Sequence, residues 1–167
     1  MCIRDRFNSV FKSIFVTFAF LLFFHAASVR FCEFNRDSAF DSTFSVRMNY
    51  LRGDSFMGGI VESESFSKAK KWATIAQSFS YAGEARNSYV LAWSELAEGN
   101  VEQFVKLLER VVELRPKFGE IMFQLGLHYL RVEDVKQAKN WLEAIPFNDS
   151  RYKDAQDFLD PLKNSNQ

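Results

Sequence analysis

The sequence predicts an all-α fold, a short α-solenoid of helical hairpins that follows an N-terminal hydrophobic helix. Three observations predict it: an uncharged, Phe-rich segment near the start, apolar residues spaced three and four apart from residue 64, and a repeat of 34 residues in the C-terminal half. Four regions follow from these patterns, namely a signal peptide or transmembrane anchor at 1–30, a weakly structured linker at 31–64, a helical domain at 65–162 and a disordered tail at 163–167.

The composition of the 167 residues is that of one domain without a strong charge preference. Lys plus Arg and Asp plus Glu number 21 each, so the net charge gives no reason to expect a nucleic-acid partner. The two cysteines, Cys2 and Cys32, have no metal-ligand spacing around them, and we expect unpaired thiols and no metal.

The first six residues, MCIRDR, resemble the translated end of a sequencing adapter, as left at contig edges in metagenomic assemblies of bacterial DNA. On this interpretation Met1 and the residues up to Arg6 are not native, and we exclude them from the reasoning about the N-terminal segment. The native start is then unknown, which leaves open that the chain is the C-terminal piece of a longer protein.

An uncharged apolar segment begins at Ser13 and ends at Val29, with a basic residue on either side. It contains the apolar core that a signal peptide requires, and positions 26–28 offer small residues for cleavage. It also reaches the lower length limit of a membrane-spanning helix, about 17 residues. A signal peptide or uncleaved anchor, the last helix of a truncated multi-span protein, and a buried helix of a soluble protein are the alternatives.

Beyond the apolar segment the pattern is weak as far as residue 64 and helical after it. Gly53, Gly58 and Gly59, with scattered Asp and Ser, indicate a linker that could contain a short helix. From there we expect a helix over 65–81 that ends at Gly83 in a left-handed cap. One face of this helix carries apolar residues at three-and-four spacing: Phe66, Ala69, Trp72, Ala73, Ala76 and Phe79.

The stretch from residue 85 to residue 151 consists of two similar halves. Leu91 aligns with Leu125 at a separation of 34 residues, and the same offset relates Leu108 to Leu142. Large apolar residues at these positions are typical of the seam between two helices of a hairpin. The halves therefore predict two consecutive helical hairpins.

Small residues and breakers divide these hairpins into helices. Ala92, Gly126 and Ala138 would let the paired helices approach closely. Gly99 permits the turn of the first hairpin, and Pro116 stops its second helix.

The two halves resemble the tetratricopeptide repeat (TPR) family, as two divergent repeats. The second half carries the better match, with Leu125-Gly126, Tyr129, Ala138 and Leu142 at the family's positions. It departs from the pattern at Glu133, where the turn Gly is expected. The resemblance implies a helical-repeat solenoid, and we expect capping helices at 65–81 and 150–159, the latter stopped by Pro161.

In that family, ligands usually lie in a concave groove lined by the first helix of each hairpin. Mapped onto this sequence, the groove residues are Tyr89, Trp93, Leu96, Phe123, Leu127, Leu130 and Arg131. This face is aromatic and aliphatic, so the resemblance implies a protein or peptide ligand, an apolar helix or extended segment. The chain's own N-terminal region is one candidate, and internal packing against the capping helices is the alternative.

No pattern in the sequence predicts catalysis or a cofactor. His25 and His128 lie apart from any cluster of carboxylates or cysteines, and no glycine-rich phosphate loop or nucleophile elbow occurs. Glu95 and Glu98 are interpreted as solvated acids on a helix face. We therefore expect no enzymatic activity within this chain.

Two functions fit these expectations. The first is a membrane-anchored or exported TPR adaptor, a scaffold for protein–protein interaction in an envelope assembly. Its helical domain would lie in the periplasm, either anchored to the membrane through the segment from Ser13 to Val29 or secreted. The second is the C-terminal TPR tail of a larger multi-span envelope enzyme, such as a polysaccharide polymerase or ligase.

Overall fold

The computed structural model describes residues 3–44, 47, 63–79 and 83–164, and the regular elements of these residues are seven α-helices. The predicted all-α class is therefore confirmed for this part of the chain. In chain order the helices are α1 (Ile3–Asp41), α2 (Ser63–Phe79), α3 (Glu84–Ala97), α4 (Val101–Leu114), α5 (Gly119–Arg131), α6 (Val135–Glu143) and α7 (Tyr152–Asn164).

Each helix packs against the helix that follows it in the chain. Short turns join α3 to α4 and α5 to α6, as predicted. Gly99 has φ +86° in the first turn, and Glu133 adopts φ +61° at the equivalent place in the second. The Asp134 side chain then caps α6 by accepting a hydrogen bond from the backbone N–H of Gln137 at 3.0 Å.

The small residues predicted at the hairpin seams allow the close approach expected of them. Ala92 and Ala138 are fully buried. A Cβ added to Gly126 would lie 2.6 Å from Cγ and Cδ2 of Leu142, a side chain that is itself fully buried. Helices α5 and α6 therefore approach closely where Gly126 lacks a side chain.

The buried side chains form two hydrophobic clusters. The larger cluster contains residues of all five helices from α1 through α5, among them Phe40, Trp93, Phe104 and Leu125. The smaller joins α5, α6 and α7 with the segment that follows α6; it contains Met122, Phe123, Leu142, Ile145, Ala155 and Leu159.

The first part of the predicted linker, residues 31–41, belongs to α1. Helix α1 continues from the apolar segment to Asp41, and Cys32, Arg36 and Phe40 on one of its faces are buried. Their four-residue spacing places them on one helix face, which packs against α2 and α3. The glycine-containing part of the predicted linker, residues 48–62, lies outside the described residues.

Two helix ends also differ from the prediction. Helix α7 continues through Pro161 to Asn164, and the Lys139 side chain donates a hydrogen bond to the carbonyl of Leu162 at 2.7 Å beside this last turn. Pro161 has no backbone N–H, so it makes no helical hydrogen bond to the carbonyl of Asp157. Gly83 has φ −106° and precedes α3 as its N-cap, so it is not the left-handed cap of α2. The predicted tail begins inside α7, and residues 165–167 lie outside the described residues.

Candidate membrane anchor and interaction surface

Between Ile14 and Phe24, α1 is an exposed apolar helix. Its large side chains from Ile14 to Phe24 are all exposed, with Phe23 at 73% of its full accessibility. In the described part of the chain, one helix is long and apolar enough to cross a membrane, and it lies within Ile14–Asp41. None of its most apolar 18-residue stretch is buried in the protein. A run of exposed Phe and Leu is unfavourable in water. Moving each such side chain out of water lowers the free energy by about 1.5–3 kcal/mol.

The second half of the same helix is fixed to the helical domain by polar contacts. Nη1 of Arg36 donates a hydrogen bond to Oδ1 of Asn87 on α3 at 2.6 Å, and both side chains are buried. Asp37 accepts from Nε of Arg86 on α3 at 3.0 Å. Burial raises the pKa of Asp37, but the hydrogen bonds that its carboxylate accepts from Arg36 and Arg86 outweigh burial, so the pKa is lowered.

The groove residues predicted on α3 lie inside the larger cluster. Trp93 and Leu96 are buried, and Tyr89 is half-buried. The ring of Phe40 on α1 packs edge-on against Tyr89 at 5.5 Å, and Arg47 lies 5.9 Å from the Trp93 ring. The chain itself therefore covers this part of the predicted groove, with Phe40 of α1 and with Arg47 beyond its end.

The groove residues predicted on α5 belong to the smaller cluster. Phe123 is buried and packs against the ring of Phe158 on α7 at 5.8 Å. Leu127 and Leu130 are half-buried against the same cluster, and Arg131 is exposed. The seven residues therefore do not line one open groove, and the alternative of internal packing against flanking helices describes the buried ones.

A chain of polar contacts joins α3, α5 and α7. Nε2 of Gln124 donates to the hydroxyl of Tyr89 at 3.1 Å and to Oε1 of Glu120 at 2.8 Å. The other carboxylate oxygen of Glu120 accepts from Arg151 at 2.5 Å, and Arg151 also contacts Asp154 at 2.8 Å. These contacts hold the non-adjacent helices of the array in register.

Beside this chain of contacts, a cavity of about 170 Å³ opens between α3, α4 and α5. Its walls are apolar at Val111 and Ile121, and charged groups of both signs stand among its lining residues. The lining residues are Ala85, Arg86, Tyr89, Val111, Arg115, Phe118, Glu120 and Ile121. Phe118 is 42% exposed beside it. A cavity of this size accepts one apolar side chain, and its charged lining residues would orient the chain that carries it.

The two acids interpreted as solvated bind a lysine of the neighbouring helix. Lys70 on α2 lies 2.7 Å from a carboxylate oxygen of Glu95 and 2.7 Å from one of Glu98. The hydrogen bond from Lys70 lowers the pKa of Glu95. These acids therefore join α2 to α3, a role that sequence spacing alone did not reveal. Among the residues that the structure describes, no group of three His, Cys, Asp or Glu side chains is placed to hold a metal ion.

Most of the cavity lining was missed by the sequence reasoning. Arg115 and Phe118 lie between the two hairpins, at the end of α4 and just before α5, where the repeat pattern assigns only Pro116. The available signal was Phe118, an aromatic residue that follows Arg115, Pro116 and Lys117 in this connection.

Comparisons with models of protein families, with curated proteins and with solved structures find no match to this chain. The resemblance to tetratricopeptide repeats therefore stays a prediction from the sequence.

Proposed function

We propose that this protein is a membrane-anchored adaptor of the tetratricopeptide-like class, which holds a protein partner close to the membrane surface. The observation that carries the proposal is the continuity of α1. One helix exposes its apolar side chains from Ile14 to Phe24 and packs as part of the helical domain from Cys32 to Phe40. This arrangement supports a rigid attachment rather than a domain on a flexible tether.

The partner surface in this proposal is the cavity beside Phe118 rather than the groove predicted from the resemblance. The cavity has apolar walls and charged lining residues, and half-buried Tyr89 is common to both sites. A peptide segment with one apolar anchor side chain fits it, which keeps the predicted class of partner. Leu127, Leu130 and Arg131 stay predicted contact residues of the groove on α5.

Membrane anchoring is tested with charges on the exposed half of α1. We expect Phe20→Asp/Phe23→Asp to move the full chain from the membrane fraction to the soluble fraction, because each carboxylate costs about 2.5–3.5 kcal/mol near the middle of a membrane helix. The measurement is the partition of the protein between membrane and soluble fractions after alkaline extraction.

The matched control places the same charges on exposed apolar residues of the helical domain. Phe147 (82% exposed) and Val132 (53% exposed) both follow helices of the domain and lie outside α1. Phe147→Asp/Val132→Asp should leave the partition unchanged. Retention of the α1 variant in the membrane at the wild-type level would contradict the anchoring proposal.

The side of the membrane is part of the proposal as well. We propose that the helical domain lies in the periplasm, because the segment from Ser13 to Val29 has the apolar core and the small residues of a signal peptide or anchor. Val132→Cys, in a background with Cys2→Ser and Cys32→Ser, should react in intact cells with a thiol reagent that crosses only the outer membrane. Labelling only after disruption of the inner membrane would place the domain in the cytoplasm instead.

A further inference from the structure

The end of α2 runs beside the apolar half of α1 in the opposite direction. The rings of Phe31 and Trp72 pack edge-on at 5.6 Å, and those of His25 and Phe79 at 5.9 Å. Moving along α2 from Trp72 to Phe79 therefore means moving back along α1 towards its apolar half. At 1.5 Å per residue this is a distance of about 10 Å.

Charged residues end at the same height on α1 and α2, and both helices are uncharged from there towards the apolar segment. On α1, Arg30 is the first charged residue after the apolar segment, and its side chain is 86% exposed. On α2, Lys71 is the last charged residue, and it is also exposed. Phe31 and Trp72, the next residues in the chain, are the pair in ring contact. Two exposed basic residues beside an aromatic pair are typical of the level of lipid phosphates.

Beyond this level three hydroxyls of the two helices are satisfied locally, while the amide of Gln77 on α2 is exposed. The hydroxyls of Thr74 and Ser78 on α2 donate to the carbonyls of Lys70 and Ile75, at 2.9 and 2.7 Å. Ser28 on α1 donates in the same way to the carbonyl of Phe24 at 2.8 Å. Hydroxyls bonded to their own helix are compatible with a medium that offers few partners.

Next to Phe79 a shallow groove of about 460 Å³ follows α1. Its lining is apolar apart from one imidazole and one hydroxyl, and consists of Phe20, Leu21, Phe24, His25, Ser28 and Phe79. An open, apolar groove along an uncharged helix matches the shape and chemistry of one lipid acyl chain.

The third helix begins on the other side of the charge boundary. Arg36 contacts Asn87 and Asp37 contacts Arg86, so the first turn of α3 lies about 9 Å further along α1 than Arg30. The apolar segment of α1 and the last turns of α2 therefore project together from the rest of the helical domain.

We propose that the last two turns of α2 enter the membrane interface beside α1, with lipid as the occupant of the groove at Phe79. This inference rests on the proposed membrane anchoring and adds a second contact to it. Arg30 and Lys71 lie at the level of the lipid phosphates, and Trp72 and Phe31 lie just inside it. The domain is then fixed in both tilt and rotation, because two helices rather than one meet the bilayer.

The test is spin-label accessibility in phosphatidylglycerol–phosphatidylethanolamine vesicles, using the full chain with Cys2→Ser and Cys32→Ser. Labels are attached at Leu21→Cys for the anchor, at Phe79→Cys for the end of α2, and at Phe118→Cys for the domain surface. We expect the labels at residues 21 and 79 to collide with oxygen and the label at residue 118 to collide with a water-soluble nickel chelate. Ser78→Cys gives a second site on the last turn of α2 in case the change at Phe79 reduces helicity.

The other outcomes separate the two proposals. A label at residue 21 in lipid with labels at residues 78 and 79 open to the nickel chelate would overturn the inference and leave the anchor intact. A label at residue 21 open to the chelate would overturn the anchor as well. Labels at residues 78 and 79 shielded from both reagents, with dipolar broadening between copies, would show that a second protein chain rather than lipid covers the groove.

Discussion

At the scale of single residues, the absence of a side chain at Gly126 determines how closely α5 and α6 pack. The added methyl of Gly126→Ala would meet Cγ and Cδ2 of Leu142 at 2.6 Å inside a filled cluster. Overpacking of this kind costs about 1–3 kcal/mol, whereas Ala favours the helix over Gly by about 1 kcal/mol. We expect a net loss of about 1 kcal/mol in the free energy of unfolding, measured by urea denaturation in a mild detergent with circular dichroism.

The same substitution in a Leu142→Ala background provides the control. The space left by the shorter side chain removes the clash, so Gly126→Ala should then raise the unfolding free energy by up to about 1 kcal/mol. Equal losses in both backgrounds would contradict the close approach of the two helices at this point.

His128 gives the domain a dependence on pH. Its imidazole is buried and packs against the ring of Phe104 at 5.4 Å. Burial, and after it the charge of Arg131, lowers the pKa of His128 below its ordinary value of 6.5. The unfolded chain therefore takes up this proton at a higher pH than the folded protein does, so stability is retained above pH 6.5 and falls as the pH drops from there towards the folded pKa.

We expect His128→Gln to reduce the loss of stability between about pH 7.5 and about pH 5.5, as followed by thermal unfolding at each pH. An unchanged pH dependence in the His128 variant would mean that this imidazole remains accessible to protons in the folded protein.

At the scale of helices, the sequence predicted α2 to α6 well and misjudged α1. Periodicity and a repeat of 34 residues marked the hairpins, because their packed faces carry Leu, Ala and Gly at regular intervals. The second half of α1 carries a weaker signal. Its buried face is Cys32, Arg36 and Phe40, while Phe31 and Phe34 on other faces are exposed, so apolar and polar residues do not separate by helix face.

The packed half of α1 gives a matched pair of substitutions. Phe40 is fully buried between Tyr89 and the guanidinium of Arg47, whereas Phe34 on the same helix is 73% exposed. We expect Phe40→Ala to lower the unfolding free energy by about 3–5 kcal/mol, and Phe34→Ala to change it by less than about 0.5 kcal/mol. Denaturant unfolding of the full chain in detergent measures both. Similar small effects would restore the predicted linker.

At the scale of the whole molecule, the candidate site was less predictable than the fold. The groove assignment placed seven residues on the first helices of the hairpins, and that placement holds for helices α3 and α5. Sequence spacing does not show which other parts of the chain cover these groove residues. Phe40 and Arg47 reach Tyr89 and Trp93 from more than forty positions away, and α7 reaches Phe123 from the other end. Burial of this kind depends on long-range packing, which a repeat alignment leaves out.

The division of the core into two clusters makes stability local along the array. Leu159 is fully buried in the cluster of α5, α6 and α7, and Val90 is fully buried in the cluster that includes α1 to α4. Arrays in which each unit contacts its neighbours lose stability near the substituted unit first. We expect Leu159→Ala to reduce hydrogen-exchange protection in α6 and α7 while α2 and α3 keep theirs.

Val90→Ala should give the reverse pattern in the same exchange experiment, with protection lost in α2, α3 and α4. Val112 and Trp141 pack against both clusters, so α4 and α6 are where the two effects should overlap. A uniform loss of protection over all the helices in either variant would mean that the two clusters unfold as one cooperative unit. In that case the anchor half of α1 would remain bound in the membrane while the whole domain opens, because its apolar contacts belong to neither cluster.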